Sequence, residues 1–428
     1  MNTYALNSQT LKGEITIPAS KSHTLRAILF GSLGHGRSVI HHYLPSTDTN
    51  AMIEACRLFG ATINVFENHL EIDGVNGKIE HAENVIDAGN SGIVLRFCAA
   101  VGALSSRPIV ITGDHSIRHQ RSMQPLLDGL AQLGVSTKTM REDGYAPVII
   151  QGPLVPGKAY ILGEDSQYVS ALLIASCFAD GTTELIVQNP GEKPWIALTL
   201  DWLDRLNIPY ENDNFEKYRI FGNARYEGFT YTVPGDFSSA AFPIAAALVT
   251  SSELYIKNIN MSDSQGDKEL IHVLQKMGAF IEIDEENKAL HVKKGGVLRG
   301  MSIDINNFVD AITILSVVAC FAEGTTHIYN GSIAKQKECN RIASITQELR
   351  KMNANIKETE DGLIIEKSVL QGADVFSHHD HRMVMSLTVA ALGAIGETRI
   401  SSTACVAKTF PSFVIDFNAL GAKIEVIS

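Results

Sequence analysis

Ile17-Pro18-Ala19-Ser20-Lys21-Ser22-His23-Thr24-Leu25-Arg26 passes from an extended apolar pair, through a polar turn, into an apolar run rich in small residues. The same grammar returns at Asn90-Ser91-Gly92, Asp165-Ser166-Gln167, Asp236-Phe237-Ser238, Asp310-Ala311 and Asp380-His381. The first residues of successive turns lie 70, 75, 71, 74 and 70 positions apart. Ser, Asn and Asp cap helix N-termini by accepting backbone N–H bonds, so each turn is read as the start of a helix. A second landmark keeps step with the first. Phe59-Gly60, Leu133-Gly134, Leu206-Asn207, Met277-Gly278, Met352-Asn353 and Leu420-Gly421 each join a large apolar residue to Gly or Asn, at spacings of 74, 73, 71, 75 and 68. Gly and Asn tolerate the left-handed backbone that closes a helix. Strand-like runs such as Thr62-Ile63-Asn64-Val65 and Phe280-Ile281-Glu282-Ile283 follow them.

Each segment therefore reads as roughly β-α-β-α-β. The first helices, around Leu172 to Ala179 and Ala311 to Ala322, are apolar nearly all round and are predicted to be buried. Two landmarks in register over the 428 residues point to a true repeat. Six units in a chain of this length suit two domains of three units, meeting near Pro234-Gly235-Asp236. The six turns open six helices, and helix N-termini attract anions. If they converge on a cleft between domains, that cleft suits a highly anionic substrate pair.

Bulk properties narrow the function. Apolar residues make up 45% and charged residues 19%, an ordinary globular profile. A net charge of −11 argues against nucleic acid or an anionic membrane as partner. No apolar run is long enough to span a bilayer, and Lys12 and Glu14 break up the N-terminal stretch, so neither a membrane segment nor a signal peptide is expected. The six cysteines are dispersed without a Cys-x-x-Cys pair, which predicts reduced thiols and a cytoplasmic protein. The His378-His379-Asp380-His381 run looks superficially like a metal site, but adjacent residues on one turn seldom converge on one ion and no further ligands stand at suitable spacing. No metal is expected.

Five motifs occur in order: Ser20-Lys21-Ser22 with Arg26; Gly89-Asn90 with Gly92 and Arg96; Lys337-Glu338 with Arg341; Asp380-His381-Arg382-Met383; and Ala407-Lys408-Thr409-Phe410-Pro411. In this the chain, from about Leu11 to its C-terminus, resembles the enolpyruvyl transferases, and among them those acting on shikimate-type acceptors. The resemblance implies an α/β, inverse α/β barrel-like fold of two domains with six βαβαββ-type repeats, three per domain, and a cleft between them. The domains would be 18–235, and 1–17 with 236–428. It also implies a transferase that moves the enolpyruvyl group of phosphoenolpyruvate to the 5-hydroxyl of 3-phosphoshikimate, releasing phosphate, with no cofactor and as a monomer.

Carried over position by position, the resemblance assigns Lys21 to both substrates. Gly92, Arg121, Gln167, Arg341, Arg382 and Lys408 would surround phosphoenolpyruvate. Ser22, Arg26, Ser166, Gln167, Asp310 and Lys337 would hold the acceptor. Asp310 would take the proton from the attacking hydroxyl and Glu338 would protonate the methylene carbon, with Lys21 completing the catalytic set. These residue types suit the chemistry. Phosphoenolpyruvate carries about three negative charges, and guanidinium groups match carboxylate and phosphate oxygens bidentately. Addition to an enol carbon needs one proton delivered to carbon and one removed from oxygen.

Plainer readings exist for single residues. Arg26 and Arg96 could be solvated helix residues, Lys337, Glu338 and Arg341 a salt-bridged helix face, and Asp310 only an N-cap. The set in order favours catalysis over a non-catalytic binding protein on the same scaffold. A reactive cysteine, usual in the related transferases acting on a UDP-amino sugar, is missing between Thr112 and Arg121.

The chain departs from the family pattern where serines usually grip the acceptor's phosphate. Asp165 and Glu192 stand there, with Ser166 remaining. A carboxylate about 4 Å from a phosphate charge costs roughly 4 kcal/mol at an effective dielectric near 20. Either the carboxylates are compensated locally, with Lys193 and backbone N–H groups serving the phosphate, or the alignment slips near Glu192, or the acceptor is a non-phosphorylated or amino analogue. Ile333 and Asn340 also replace the family's usual Asn and Asp. Ile93 and Phe97 replace its usual Thr and Pro, near the pocket that the inhibitor glyphosate uses in these enzymes. Weakened glyphosate inhibition is expected; a submicromolar inhibition constant contradicts it.

Overall fold

The computed structural model describes residues 2–79 and 82–427. Among these residues the strands form six four-stranded sheets of one pattern. In the second segment Ile86–Asp87 runs parallel to Ile109–Thr112, which pairs antiparallel with Val148–Gln151, itself antiparallel to Ser136–Thr139. The helix Gly92–Gly102 forms the parallel crossover and Gln124–Gln132 precedes the closing hairpin. The unit is thus βαβαββ, one strand more than the residue pattern alone suggests.

Three sheets are completed by strands distant in sequence. Thr230–Thr232 joins His35–His41 in parallel. Lys12–Thr16 joins Glu253–Lys257 in parallel. Thr3–Leu6 lies between Thr398–Ser401 and Glu425–Ile427, antiparallel to both. The N-terminal strands therefore belong with the second half of the chain. The chain divides into one unit of Met1–Pro18 with Pro234–Ser428, and another of Ala19–Val233.

The helix ends follow the sequence closely. Gly60, Gly134, Asn207, Gly278, Asn353 and Gly421 all have left-handed φ, between 54° and 108°. Each donates its N–H back to the third residue before it, as Gly60 does to Arg57 (2.9 Å) and Asn353 to Arg350 (3.0 Å). The next residue donates five back, as Ala61 does to Cys56 (3.1 Å) and Ala354 to Leu349 (3.0 Å). This paired closure satisfies the terminal carbonyls, and the apolar residue before each turn packs into the core. At the N-termini, Ser20, Ser91, Asp165, Asp236 and Asp380 cap as expected, each accepting from an N–H two or three residues on.

Asp310 does not cap. It lies in the 3₁₀ segment Asn306–Ala311, and the helix Ile312–Phe321 begins after it with Ala311 at the cap position. The plain N-cap reading of Asp310 is thereby corrected: its carboxylate is turned to side-chain partners instead.

Each unit buries its own core. In one, the helices Phe237–Val249, Ile312–Phe321 and His381–Gly393 are enclosed by their sheets. In the other, Lys21–Leu33, Gly92–Gly102 and Ser166–Phe178 play that part. Such helices must be apolar on every face because neighbours cover every face. The polar residues that open them are held in place by that packing. The six cysteines are free thiols, five of them buried. Among the described residues no helix is long and apolar enough to cross a membrane, and no group of three or more His, Cys, Asp or Glu side chains is placed to hold a metal ion.

Candidate active site

In the unit Ala19–Val233 the polar turns gather buried cations. Arg96, on the helix opened by Ser91, is 1% exposed. Its Nη1 donates to Asp165 Oδ2 (2.7 Å) and Gln167 Oε1 (2.9 Å), and its Nη2 to Ser122 O and Tyr168 Oη (both 3.2 Å). Burial alone lowers the pKa of Arg96, but Asp165, Tyr168 and Glu192 outweigh it and hold the guanidinium above its ordinary range. Gly92 sits where a side chain would intrude: a Cβ there would lie 3.2 Å from Gln167 Oε1, 3.3 Å from an Arg121 Nη and 3.6 Å from Arg96 Nη1. Gly92, Arg121 and Gln167, which the resemblance assigns to one substrate, are therefore neighbours, with Arg96 behind them.

Arg26 is also buried, so neither arginine is a solvated helix residue. Its Nε and Nη2 donate to Thr199 Oγ1 (3.1 and 2.9 Å), Nη1 to Ser22 O and Nη2 to Trp195 O (both 3.3 Å). The guanidinium lies 5.1 Å from the Phe97 ring centre. Among the described residues no carboxylate pairs with it. Burial pulls its pKa down to about 9, which still leaves it charged at neutral pH. A buried cation without a counter-ion is costly unless a ligand supplies one. Lys21, at the start of the same helix, lies 3.7 Å from Asp48.

The unexpected acids are engaged within this unit. Asp165 caps its helix through Gln167 N (2.9 Å) and pairs with Arg96. Glu192, 2% exposed, accepts from Ser166 N (3.2 Å) and Ser166 Oγ (3.1 Å) at the opening of the helix Ser166–Phe178. Ser166 is thereby tied to a carboxylate. Lys193 stands over the Phe215 ring at 5.8 Å.

The other unit builds a denser charge network. Arg341 opens the helix Arg341–Lys351 and is 1% exposed. Nη1 donates to Asp310 Oδ1 (2.6 Å), Nη2 to Glu338 Oε2 (2.7 Å) and Nε to Asp380 Oδ2 (2.8 Å). Arg382 Nη2 donates to Asp310 Oδ2 (2.9 Å), and Lys408 Nζ to Glu338 Oε1 (2.8 Å). Lys337 and Glu338 precede the helix and are buried, which corrects the reading of them as a helix face. Burial raises the pKa of Asp310, but Arg382, Arg341 and Lys337 overwhelm it and hold the carboxyl far below the usual carboxylate range. Asn340 caps the helix, accepting from Ala343 N (3.2 Å), and Ile333 is buried in the core.

Sequence reasoning missed several supports of this network. Asp380 was read as a helix cap, yet it also anchors Arg341. Glu348, 0% exposed, accepts from Phe376 N (3.0 Å), His378 Nε2 (3.0 Å) and Lys351 Nζ (2.7 Å), which fixes the turn carrying Asp380. The His378 ring that suggested a metal ligand is thus occupied by a carboxylate.

The repeat architecture and its ring of buried cations define the class of enolpyruvyl transferase folds. A solved enolpyruvyl transferase, NikO from Streptomyces tendae, superposes with a TM-score of 0.80 over 100% of this chain and 99% of its own, at 17% identity, which speaks to fold alone. EPSP synthase from Acinetobacter baumannii superposes at 0.84, with 26% identity and 100% of both chains covered. A protein of Chlamydia caviae named 3-phosphoshikimate 1-carboxyvinyltransferase is 44% identical over 99% of this chain and 95% of its own length. One of that name from Acetivibrio thermocellus is 42% identical over 96% and 97%. The family described as EPSP synthase (3-phosphoshikimate 1-carboxyvinyltransferase) matches residues 6–417. The chain belongs to that family.

Proposed function

We propose that this protein transfers the enolpyruvyl group of phosphoenolpyruvate to the 5-hydroxyl of 3-phosphoshikimate and releases phosphate, in the cytoplasm, as a step towards chorismate and the aromatic amino acids. The observation that carries the mechanism is Asp310, a carboxylate gripped by two arginines in a position where it caps nothing. Arg341, Arg382 and Lys408 supply the charge that a phosphoenolpyruvate trianion needs. Gly92, Arg121 and Gln167 offer it a second set of donors, and Lys21 serves both ligands. The acceptor's carboxylate is assigned to Arg26 and Ser22, its ring hydroxyls to Asp310 and Lys337.

Asp310 is a weak base while two guanidinium groups hold it. Phosphoenolpyruvate arriving at Arg341 and Arg382 draws on their charge and raises the proton affinity of Asp310. Asp310 then takes the proton of the 5-hydroxyl as its oxygen bonds to the enol carbon. Glu338 gives a proton to the methylene carbon, and its bond to Lys408 is the route by which it is recharged. The tetrahedral adduct has a methyl group, a carboxylate and phosphate on one carbon. Loss of phosphate with a methyl proton leaves the enol ether. Each proton has a named carrier and no redox step is needed.

Asp165 and Glu192 being bonded to Arg96 and Ser166 supports local compensation, and hence a phosphorylated acceptor. The lone charge of Arg26 gives a test. R26Q should raise KM for the acceptor about 10- to 100-fold, the range for a lost charge-assisted bond, and leave KM for phosphoenolpyruvate within threefold. An unchanged acceptor KM removes Arg26 from the site.

A further inference from the structure

Close to Asp310 lies a second buried carboxylate that the mechanism does not use. Asp267, in the 3₁₀ turn Gly266–Lys268, is 2% exposed. Its Oδ2 accepts a hydrogen bond from Ser238 Oγ, at the opening of the helix Phe237–Val249. Its Oδ1 is buried and, among the described residues, has no hydrogen-bond partner. Arg382 Nε is likewise buried and unpartnered, while Arg382 Nη2 holds Asp310. The turn is fixed by Gln265, which accepts from Phe237 N (3.1 Å) and donates to Gly235 O (2.9 Å). Lys268, next in the chain, is turned away to Met261 O and Asp263 O. The charged groups facing Asp267 are Asp310, Arg382 and Asp236.

We propose that Asp267, held by Ser238, is a positioning residue that acts through Arg382 on Asp310 and sets how readily Asp310 takes the acceptor's proton. The inference rests on the assignment of Asp310 as the base. Two like charges near one guanidinium push each other's proton affinities apart, and such split pairs mark acid–base sites. Burial first, then Asp310, raise the Asp267 carboxyl to about 7, while Arg382 and Ser238 oppose the rise. Asp310 is held far down. Below neutrality Asp267 carries its proton, leaves Arg382 to Asp310, and the base is weak. Above neutrality Asp267 is ionised, shares Arg382, and Asp310 becomes a stronger base. Turnover therefore rises with pH through the Asp267 titration.

The experiment measures kcat at saturating phosphoenolpyruvate and acceptor from pH 5.5 to 8.5 in the wild type, D267N and S238A. The wild type should show a rising limb near pH 7. In D267N, which keeps the shape and removes the ionisation, the limb should vanish and kcat at pH 8 should fall about tenfold, the effect of one pKa unit. In S238A, which loses the donor favouring the carboxylate, the limb should move to higher pH. A limb that survives in D267N with kcat within twofold overturns the inference, since it then belongs to a substrate or another group. If D267N folds poorly, an unmoved limb in S238A overturns it alone. A wild type that transfers nothing at any pH overturns the functional reading instead.

Discussion

D310N and E338Q each lower kcat by about 10²- to 10⁴-fold, the usual contribution of a positioned acid or base, and leave the protein folded. Asp310 accepts from Arg341 at 2.6 Å and from Arg382 at 2.9 Å. Asparagine keeps the shape but cannot take a proton at neutral pH. Glu338 accepts from Arg341 at 2.7 Å and Lys408 at 2.8 Å, and glutamine cannot protonate carbon. Running the reaction in heavy water separates the two. E338Q should stop deuterium entering the methylene carbon, because that carbon has lost its donor. Phosphate release gives the rates, and a fall smaller than tenfold in either variant removes that residue from its role.

The second large effect is on stability. Arg341 joins Asp310, Glu338 and Asp380 through one buried guanidinium. R341M leaves three carboxylates without their shared cation, and breaking a buried pair from one side costs about 3–5 kcal/mol. For a unit of this size that lowers Tm by roughly 6–20 °C. The sign with pH reverses between the two proteins. In the wild type the depressed Asp310 contributes fully above its unfolded value near 3.9 and loses that contribution as pH falls below it. In R341M the orphaned carboxyls have raised pKa values, so stability improves as pH drops from 7 towards 5 and is lost again as pH rises. A calorimetric Tm within 3 °C of the wild type, flat with pH, contradicts the account.

The repeat was legible because helix ends obey local chemistry. Gly or Asn in left-handed backbone ends one helix in each segment, and Ser or Asp opens the other in five of the six, whatever surrounds them. The exception at Asp310 was not legible, because a cap and a catalytic carboxylate look alike in sequence and only the 3₁₀ start of its helix tells them apart. The assigned cations were legible through ordered motifs. Their supports were not. Glu348 sits in Gln347-Glu348-Leu349-Arg350-Lys351, which reads as an ordinary surface helix, and its burial depends on a turn 28 residues onward. Asp267 occupies no repeated position, so periodicity could not single it out. Asp165 and Glu192 were visible as departures, but their partners Arg96 and Ser166 emerge only when the chain folds.

The most direct test is phosphate release from phosphoenolpyruvate with 3-phosphoshikimate and unphosphorylated shikimate supplied separately. Strong turnover with 3-phosphoshikimate and little with shikimate is the result expected from carboxylates compensated inside their own unit. Turnover with shikimate alone, or with neither acceptor, contradicts the account and means that Asp165 and Glu192 have changed the acceptor.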